Sequence, residues 1–415
     1  MESAFHQAAI IARSCFSKLR LRGEPKNEQI LALTAALIHR DVFVCLPTGF
    51  GKSFCFQAIP LAFEEISIPK AVVLVISPLL ALIDDQVAQL NSAIAGFAIH
   101  LRSQADLADV QKGAIRVMFV TPETLTKHPG GLAPGFADAF FHANLRTIVL
   151  DEAHCLVLWG DTFRPAYNDA VSLLPTLPPA SIMALTATAT QSLVQQVIKR
   201  TGMNNAVQIV RGEIKTNIFL EVRPHSTFNK FLQGLVEEVK AKTTSTPRTV
   251  IFFSSLDTLS TAYSDFVDLI GDHGRVPGTG FRSSLVAMFH GESRADLKEW
   301  VLEMIADPAS HLRVLFVSSA FGLGIDGKGI TRIVHEASPS EVDDYIQEIG
   351  RAGRAGEVCM AILFAKARFA KEAMKEYIRT DDCRREFLTK AMGYNLCPAE
   401  SMLLCCDNCK KRHTV

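Results

Sequence analysis

The sequence predicts an α/β protein: two domains built on parallel sheets, followed by a small helical, cysteine-rich module. Three observations predict it. Short unbroken apolar strands come in two series, long helical stretches separate the strands, and five cysteines crowd the last 33 residues. Apolar strands of this kind belong to parallel sheets covered on both faces. The first series is DVFVCL (41–46), AVVLVIS (71–77), IRVMFV (115–120), RTIVL (146–150) and SIMALT (181–186). The second is TVIFFS (249–254), LVAMFH (285–290), RVLFVSS (313–319), TRIVHE (331–336) and MAILFA (360–365). A seam near 205–220 divides them, so the expected domains are 1–210, 211–368 and the tail module 369–415.

Composition bounds the function. Of 415 residues, 48% are hydrophobic and 21% charged, enough for each domain to bury a core and too apolar for long disorder. Lys and Arg number 43 and so do Asp and Glu. This balance excludes a strongly basic nucleic-acid-coating protein and an acidic tail protein, so any nucleic-acid contact must use local basic surfaces. The N-terminus lacks the pattern of a secretory signal. The longest apolar run, AVVLVISPLLALI (71–83), is broken by Ser77-Pro78 and is shorter than the ~20 residues a membrane span needs. Cys15, Cys45, Cys55, Cys155 and Cys359 are scattered among apolar neighbours, whereas the rest cluster at the end. That distribution suggests a reducing, intracellular setting and a metal site.

Two motifs in the first domain carry chemistry. LPTGFGKS (46–53) follows a strand and opens a helical pattern. Backbone N–H groups from Thr48 through Ser53, those of Gly49 and Gly51 included, would cradle phosphates at a helix N-terminus. Lys52 would reach the β/γ-phosphates, and the Ser53 hydroxyl would take Mg²⁺. Leu46 stands where the general pattern has its first glycine, and a Gly-rich turn with a solvated lysine is the plainer alternative. DEAH (151–154) follows the strand RTIVL. There Asp151 can hold Mg²⁺ through water, and Glu152 can orient or deprotonate an attacking water. Adjacent acids also serve as simple helix caps. Together the two motifs supply the division of labour that phosphoryl transfer needs. In the second domain, FGLGID (321–326) is a Gly-rich turn, and QEIGRAGRAG (347–356) sets Arg351 and Arg354 on another. Two guanidinium groups on flexible backbone suit a clamp on developing phosphate charge, or else form a basic surface turn.

The ordered motifs LPTGFGKS, SPLLALIDDQ (77–86), VTPE (120–123), DEAH, ALTATAT (184–190), VSSAFGLGID (317–326) and QEIGRAGRAG resemble superfamily 2 helicases, specifically the RecQ family of DNA helicases. CLVLWGDTFRPAY (155–167) is similar to that family's aromatic-rich loop, and CRREFL (383–388) introduces a similar terminal cysteine cluster. The resemblance covers about residues 20–410. It implies two RecA-like domains of P-loop NTPase type and an ATP- and Mg²⁺-dependent enzyme. By position, Gln29 would recognise adenine and Lys26 would flank it. Thr186 and Thr188 would couple the domains. Gly324 and Asp326 would approach the nucleotide, with Arg351 and Arg354 as arginine fingers. Trp159, Phe163, Arg164 and Tyr167 would meet single-stranded DNA by stacking and charge; Trp159 or Phe163 also fits as an ordinary core aromatic.

The pattern is departed from at Asp161, where the family has His, at Ala355, where it has Asp, and at Val157-Leu158, where it has Ser-Gln. These positions bear on how DNA binding is coupled to hydrolysis. For Zn²⁺, four thiolates form the expected closed site. Cys406-x-x-Cys409 has the spacing of a zinc turn, and the resemblance implies Cys383 as first ligand. The fourth is Cys397 or Cys405, with Cys397 favoured because adjacent cysteines do not readily face one ion. The expected function is 3′-to-5′ movement on single-stranded, forked or tailed DNA in repair or recombination, alongside protein partners of those processes, in the nucleus and with no membrane role. The family's winged-helix and helical HRDC modules do not follow the cysteines, so strand separation is expected to be weak or partner-dependent. The alternatives are a nucleic-acid-stimulated ATPase that remodels or anneals without processive unwinding, and a nucleotide-binding adaptor.

Overall fold

The structure, a computed structural model, describes every residue except 1, 48, 79, 127–130, 159–164, 188, 212–213, 278–279, 319–328, 354–355, 369, 395–404 and 414–415. The chain divides into two units, Met1–Leu46 with Phe50–Arg211, and Pro47–Gly49 with Gly212–Val415.

The first unit carries β1 (Val42–Cys45), β2 (Val72–Ile76), β3 (Ala98–His100), β4 (Val117–Val120), β5 (Leu145–Leu150), β6 (Ser181–Thr186) and β7 (Val207–Val210). They form one parallel sheet in the order β3-β4-β2-β5-β6-β1-β7. Successive side chains of a strand point to opposite faces. Val42 and Val44 therefore enter one apolar core, shared with α1 (Glu2–Lys18) and α2 (Asn27–Leu37), while Phe43 and Cys45 enter the other. Both faces are covered, which is why β1, β2 and β4 are buried along their whole length and their sequences, VFVC, VVLVI and VMFV, are unbroken apolar runs.

The second unit repeats this design with β8 (Ile218–Pro224), β9 (Arg248–Phe252), β10 (Val286–Phe289), β11 (Val314–Val317), β12 (Ile330–His335) and β13 (Cys359–Ala365). All pair parallel, in the order β10-β11-β9-β12-β13-β8. Val250 and Phe252 face one core, Ile251 and Phe253 the other.

Every strand expected from the sequence is present, and the expected fold of two parallel-sheet domains is the fold observed. Three strands were not anticipated: β3, β7 and β8. Each lies at a sheet edge. An edge strand is paired on one side only and half-exposed, so its sequence mixes polar with apolar residues and loses the signal.

The tail covers the edge at β8. The N–H of Leu220 donates to the carbonyl of Cys405 at 3.2 Å, and that of Val222 to the Asp407 carboxylate at 3.2 Å. Arg385, buried on the helix Arg384–Ala391, donates to the carbonyls of Ile214 at 3.0 Å, Lys215 at 2.5 Å and Ile218 at 2.6 Å. Its neighbour Arg384 pairs with Asp407 at 2.5 Å. Tail residues Met374, Tyr377, Leu388, Cys405, Cys406 and Cys409 belong to the same apolar core as Leu220 of β8 and Leu363 of β13. Among the described residues, no helix is long and apolar enough to cross a membrane.

Candidate active site and cysteine centre

Parallel strands deliver their carboxyl ends to one edge of a sheet, where ligands of open α/β sheets bind. In the first unit β2, β5, β6 and β1 are consecutive neighbours. Their carboxyl ends are level to within two residues: Ile76 pairs with Leu150 and Cys45 with Thr186, while Leu150 pairs with Ala184, two residues before the end of β6. Hence Ser77, Asp151, Thr186 and the loop after β1 emerge side by side. Backbone bonds continue the sheet into the loops, from the N–H of Leu46 to Thr186 at 3.2 Å, Asp151 to Ile76 at 3.0 Å, and Ala153 to Leu185 at 2.8 Å.

In the loop after β1, Gly49 and Gly51 hold φ of 82° and 89°, a region that favours glycine. A Cβ at Gly51 would also lie 2.7 Å from Gln29 Nε2. Thr48 lies outside the described residues. Lys52 Nζ donates to the Leu46 carbonyl at 3.0 Å, and Ser53 stands at the start of the helix Phe54–Gln57. Gln29 on α2 is buried. Its Nε2 donates to the carbonyls of Gly51 at 2.9 Å and Phe50 at 3.3 Å, and its Oε1 accepts from the N–H of Lys26 at 2.8 Å. Lys26 Nζ donates to the Phe50 carbonyl at 3.3 Å. The loop, Lys26 and Gln29 thus form one constellation.

Asp151 follows β5 and is only 8% exposed. Ser77 Oγ donates to its carboxylate at 3.2 Å, and the N–H of Glu152 does so at 3.1 Å. Burial, and after it the charge of Glu152, pushes the Asp151 carboxyl up to about 7, against the pull of the Lys52 ammonium. A divalent cation at this carboxylate would favour its charged form. Glu152 has φ of 50°, uncommon for a residue with a side chain. Its carboxylate lies 3.3 Å from His154 Nδ1, which is also 3.0 Å from Thr186 Oγ1. A chain of contacts therefore runs from the acidic pair to the end of β6, with Ser77 and His154 as members the sequence reading did not single out. Thr188 lies outside the described residues.

The aromatic segment needs one correction. Tyr167 is 1% exposed on the helix Pro165–Ser172, and its hydroxyl donates to the Asp151 carbonyl at 2.5 Å. A ring so enclosed offers no face to a base, so Tyr167 braces the acidic turn and does not stack on DNA. Trp159, Phe163 and Arg164 lie outside the described residues.

In the second unit, Arg351 is buried on a turn held from two sides. Lys215 Nζ donates to the carbonyls of Gly350 at 2.8 Å and Ala352 at 3.0 Å, while Asn217 Nδ2 donates to those of Gly353 at 3.0 Å and Glu357 at 2.6 Å. Gly353 has φ of 61°, and the Asn217 amide occupies the space a Cβ would need. Just before the turn, Glu348 pairs with the buried His335 at 2.8 Å. Gly324, Asp326 and Arg354 lie outside the described residues.

At the tail, the sulfurs of Cys383, Cys405, Cys406 and Cys409 all lie within 4.8 Å of one another. The edge of a zinc–thiolate tetrahedron with bonds of about 2.3 Å is about 3.8 Å, so the group is of the right size and donor type for Zn²⁺. The adjacent Cys405 and Cys406 do converge, contrary to the expectation that neighbouring cysteines would diverge; Cys397 lies outside the described residues. As thiols the four compete. Contacts with Cys383 and Cys405 drive Cys406 strongly down, and contacts with Cys383 and Cys406 drive Cys405 strongly up. Burial, reinforced by Cys406 and Cys383, pushes Cys409 up to about 12. A divalent cation removes that conflict by favouring thiolate at every position.

Comparison with known proteins finds helicase families over both units. The DEAD/DEAH box helicase model matches residues 25–197, and the helicase conserved C-terminal domain model matches residues 229–356. The chain is 27% identical over 412 residues to the ATP-dependent DNA helicase RecQ of Haemophilus influenzae, covering 91% of this chain and 61% of that one. It is 27% identical over 417 residues to that of Bacillus subtilis, covering 94% and 65%. With the ATP-dependent DNA helicase hus2/rqh1 of Schizosaccharomyces pombe the identity is 28% over 355 residues, covering 84% of this chain and 25% of the relative. The chain thus spans less than two thirds of these relatives. Among solved structures, the DUF1998 helicase MrfA bound to DNA and AMPPNP superposes with a TM-score of 0.66 at 18% identity, covering 95% of this chain and 54% of that one. The DEAD-box helicase Mss116 bound to ssRNA and UDP-BeF gives 0.63 at 17%, covering 85% and 71%. Both show the same fold.

If Cys405 is the fourth ligand, Cys405→Ser lowers the zinc content of the purified chain from one per chain toward none, and Cys397→Ser leaves it at one, measured by atomic emission. The opposite pattern would restore Cys397.

Proposed function

The chain belongs to the RecQ family of superfamily 2 helicases, and on that premise we propose that it is an ATP-driven DNA helicase that moves 3′ to 5′ along a single strand and parts the duplex ahead of it. The observation that carries this reading is the placement of the Lys52 loop, Asp151 and Glu152 at the level carboxyl ends of neighbouring parallel strands. A nucleotide-binding adaptor would not need that full set.

Lys52 takes the β/γ-phosphates of ATP, and Gln29 and Lys26 take the base. Glu152 orients and deprotonates the attacking water, and its left-handed backbone and His154 fix its direction. Ser53 and Asp151 hold Mg²⁺, which supplies neutralisation of the phosphate charge. Arg351 and Arg354 are assigned to stabilising the charge that develops on the transferred group, and Gly324 and Asp326 to contacting the nucleotide. Trp159, Phe163 and Arg164 take single-stranded DNA by stacking and charge, and the movement they sense reaches Asp151 through Tyr167, at the far end of the same segment. Cys383, Cys405, Cys406 and Cys409 would hold Zn²⁺, which would supply a cross-link fastening the tail to the edge of the second sheet.

The substrates are single-stranded, forked or tailed DNA arising in repair or recombination, and proteins of those processes are the expected partners. Nuclear residence gains no support from relatives that include bacterial proteins, and it is no part of the reading. Val157, Leu158, Asp161 and Ala355 depart from the family pattern in the coupling segments. They favour, as the second reading, an ATPase that remodels or anneals nucleic acid without processive unwinding.

With ATP and Mg²⁺, a duplex bearing a 3′ single-stranded tail is expected to separate and one bearing a 5′ tail is not, while Lys52→Ala separates neither. Annealing without separation would favour the second reading. Tyr167→Phe, which removes one hydrogen bond to the Asp151 backbone, is expected to lower kcat for ATP hydrolysis roughly five- to tenfold with little change in KM. An unchanged kcat would remove Tyr167 from the coupling path.

A further inference from the structure

Phe50 stands between Gly49 and Gly51, in a loop whose cradle of N–H groups needs no bulk. Its ring is half-buried, resting on the rim of the core shared by α1 and α2. Three groups from separate parts of the first unit converge on it. Lys26 Nζ lies 3.9 Å from the ring centroid, and the Arg211 guanidinium, just past β7, lies 5.4 Å from it. Gln29 holds the Phe50 carbonyl. Arg211 is itself tethered to Glu28 at 2.6 Å, with its side chain 46% exposed. The ring therefore presents a π face that two cations already select, beside the Gln29 amide, whose N–H groups hold the two loop carbonyls and whose Oε1 accepts from Lys26.

We propose that Phe50 is the surface on which the nucleotide base stacks. A purine is flat and polarisable and carries donors and acceptors on its edge, so a ring for its face and an amide for its edge are what its recognition requires. Arg211, exposed and further from the ring than Lys26, is the group that yields the face, and a guanidinium can stack on the base's outer side. Because the Gln29 amide serves both the loop carbonyls and the base edge, a base on Phe50 bears directly on the loop that holds the phosphates. The inference rests on the ATP-binding reading of this loop and adds to it a residue whose contribution depends on the base.

The test compares a ligand with a base to one without. Affinities of the full chain for ATP and for inorganic tripolyphosphate, each with Mg²⁺, are measured by calorimetry for the natural protein and for Phe50→Leu, Phe50→Tyr and Phe50→Trp. Phe50→Leu keeps apolar bulk on the rim and removes the π face. The expected result is ATP bound roughly tenfold more weakly by Phe50→Leu and tripolyphosphate changed by less than about twofold, with Tyr and Trp retaining ATP affinity. Equal losses for both ligands would mean a distorted loop and overturn the proposal. Unchanged or tighter ATP binding by Phe50→Leu would overturn it too, the latter because the ring would then be occupying the base's place. A natural chain that binds neither ligand would remove the ATP-binding reading and this inference with it.

Discussion

Burying the Asp151 carboxylate is the constraint around which the first unit is arranged. A charged group this enclosed must be compensated or neutralised. The compensation comes from every side: the Ser77 hydroxyl at the end of β2, the N–H of Glu152, and the Lys52 ammonium from the loop after β1. Tyr167 fixes the backbone of the same residue, and the sheet bond from Asp151 N–H to Ile76 fixes its height. No one of these contacts would serve without parallel strands whose ends are level. The fold and the chemistry of the site therefore share one cause: crossover connections keep all the strands parallel, so the loops that follow their carboxyl ends collect at one edge.

That constraint also explains what was legible in the sequence. Interior strands such as VVLVI and VFVC leave an unmistakable trace because both faces are buried, and motifs directly following them could be placed at the sheet edge without coordinates. The strands β3, β7 and β8 left none, since an edge strand meets solvent and its residues alternate less cleanly. Tyr167 was misjudged for a related reason. Composition marks an aromatic residue near a functional loop, but whether its ring faces solvent or core depends on helix phase, and here a buried hydroxyl found a backbone carbonyl. Ser77 and His154 fall inside recognisable motifs, SPLLALIDDQ and DEAH, but their contacts with Asp151 and Thr186 exist only through the fold, which joins residues distant in sequence. Phe50 did carry a signal, a large aromatic between two glycines of a phosphate loop; its meaning emerged only with Lys26 and Arg211 beside it.

The tail illustrates how an exposed sheet edge is managed. Unpaired N–H groups on β8 would invite association, and the segment around Cys405 and Asp407 takes them up. Two consecutive arginines divide the work, Arg385 gathering carbonyls ahead of β8 and Arg384 anchoring Asp407. The cysteine group sits where these attachments meet, so a metal there would lock the cover onto the edge. By spacing alone Cys397 and Cys405 compete for one place, and neighbouring cysteines are expected to diverge. The backbone pairing of Leu220 with the Cys405 segment, invisible to spacing, settles the local direction and brings both adjacent sulfurs into the group.

If the level strand ends hold a nucleotide-hydrolysing centre that DNA commands, its rate must respond to DNA through the aromatic segment that ends at Tyr167. The most direct measurement is ATP hydrolysis with and without single-stranded DNA, for the natural chain and for Trp159→Ala. The account predicts strong stimulation by DNA in the natural chain and little or none in Trp159→Ala, with basal hydrolysis retained. Hydrolysis indifferent to DNA in the natural chain would contradict it.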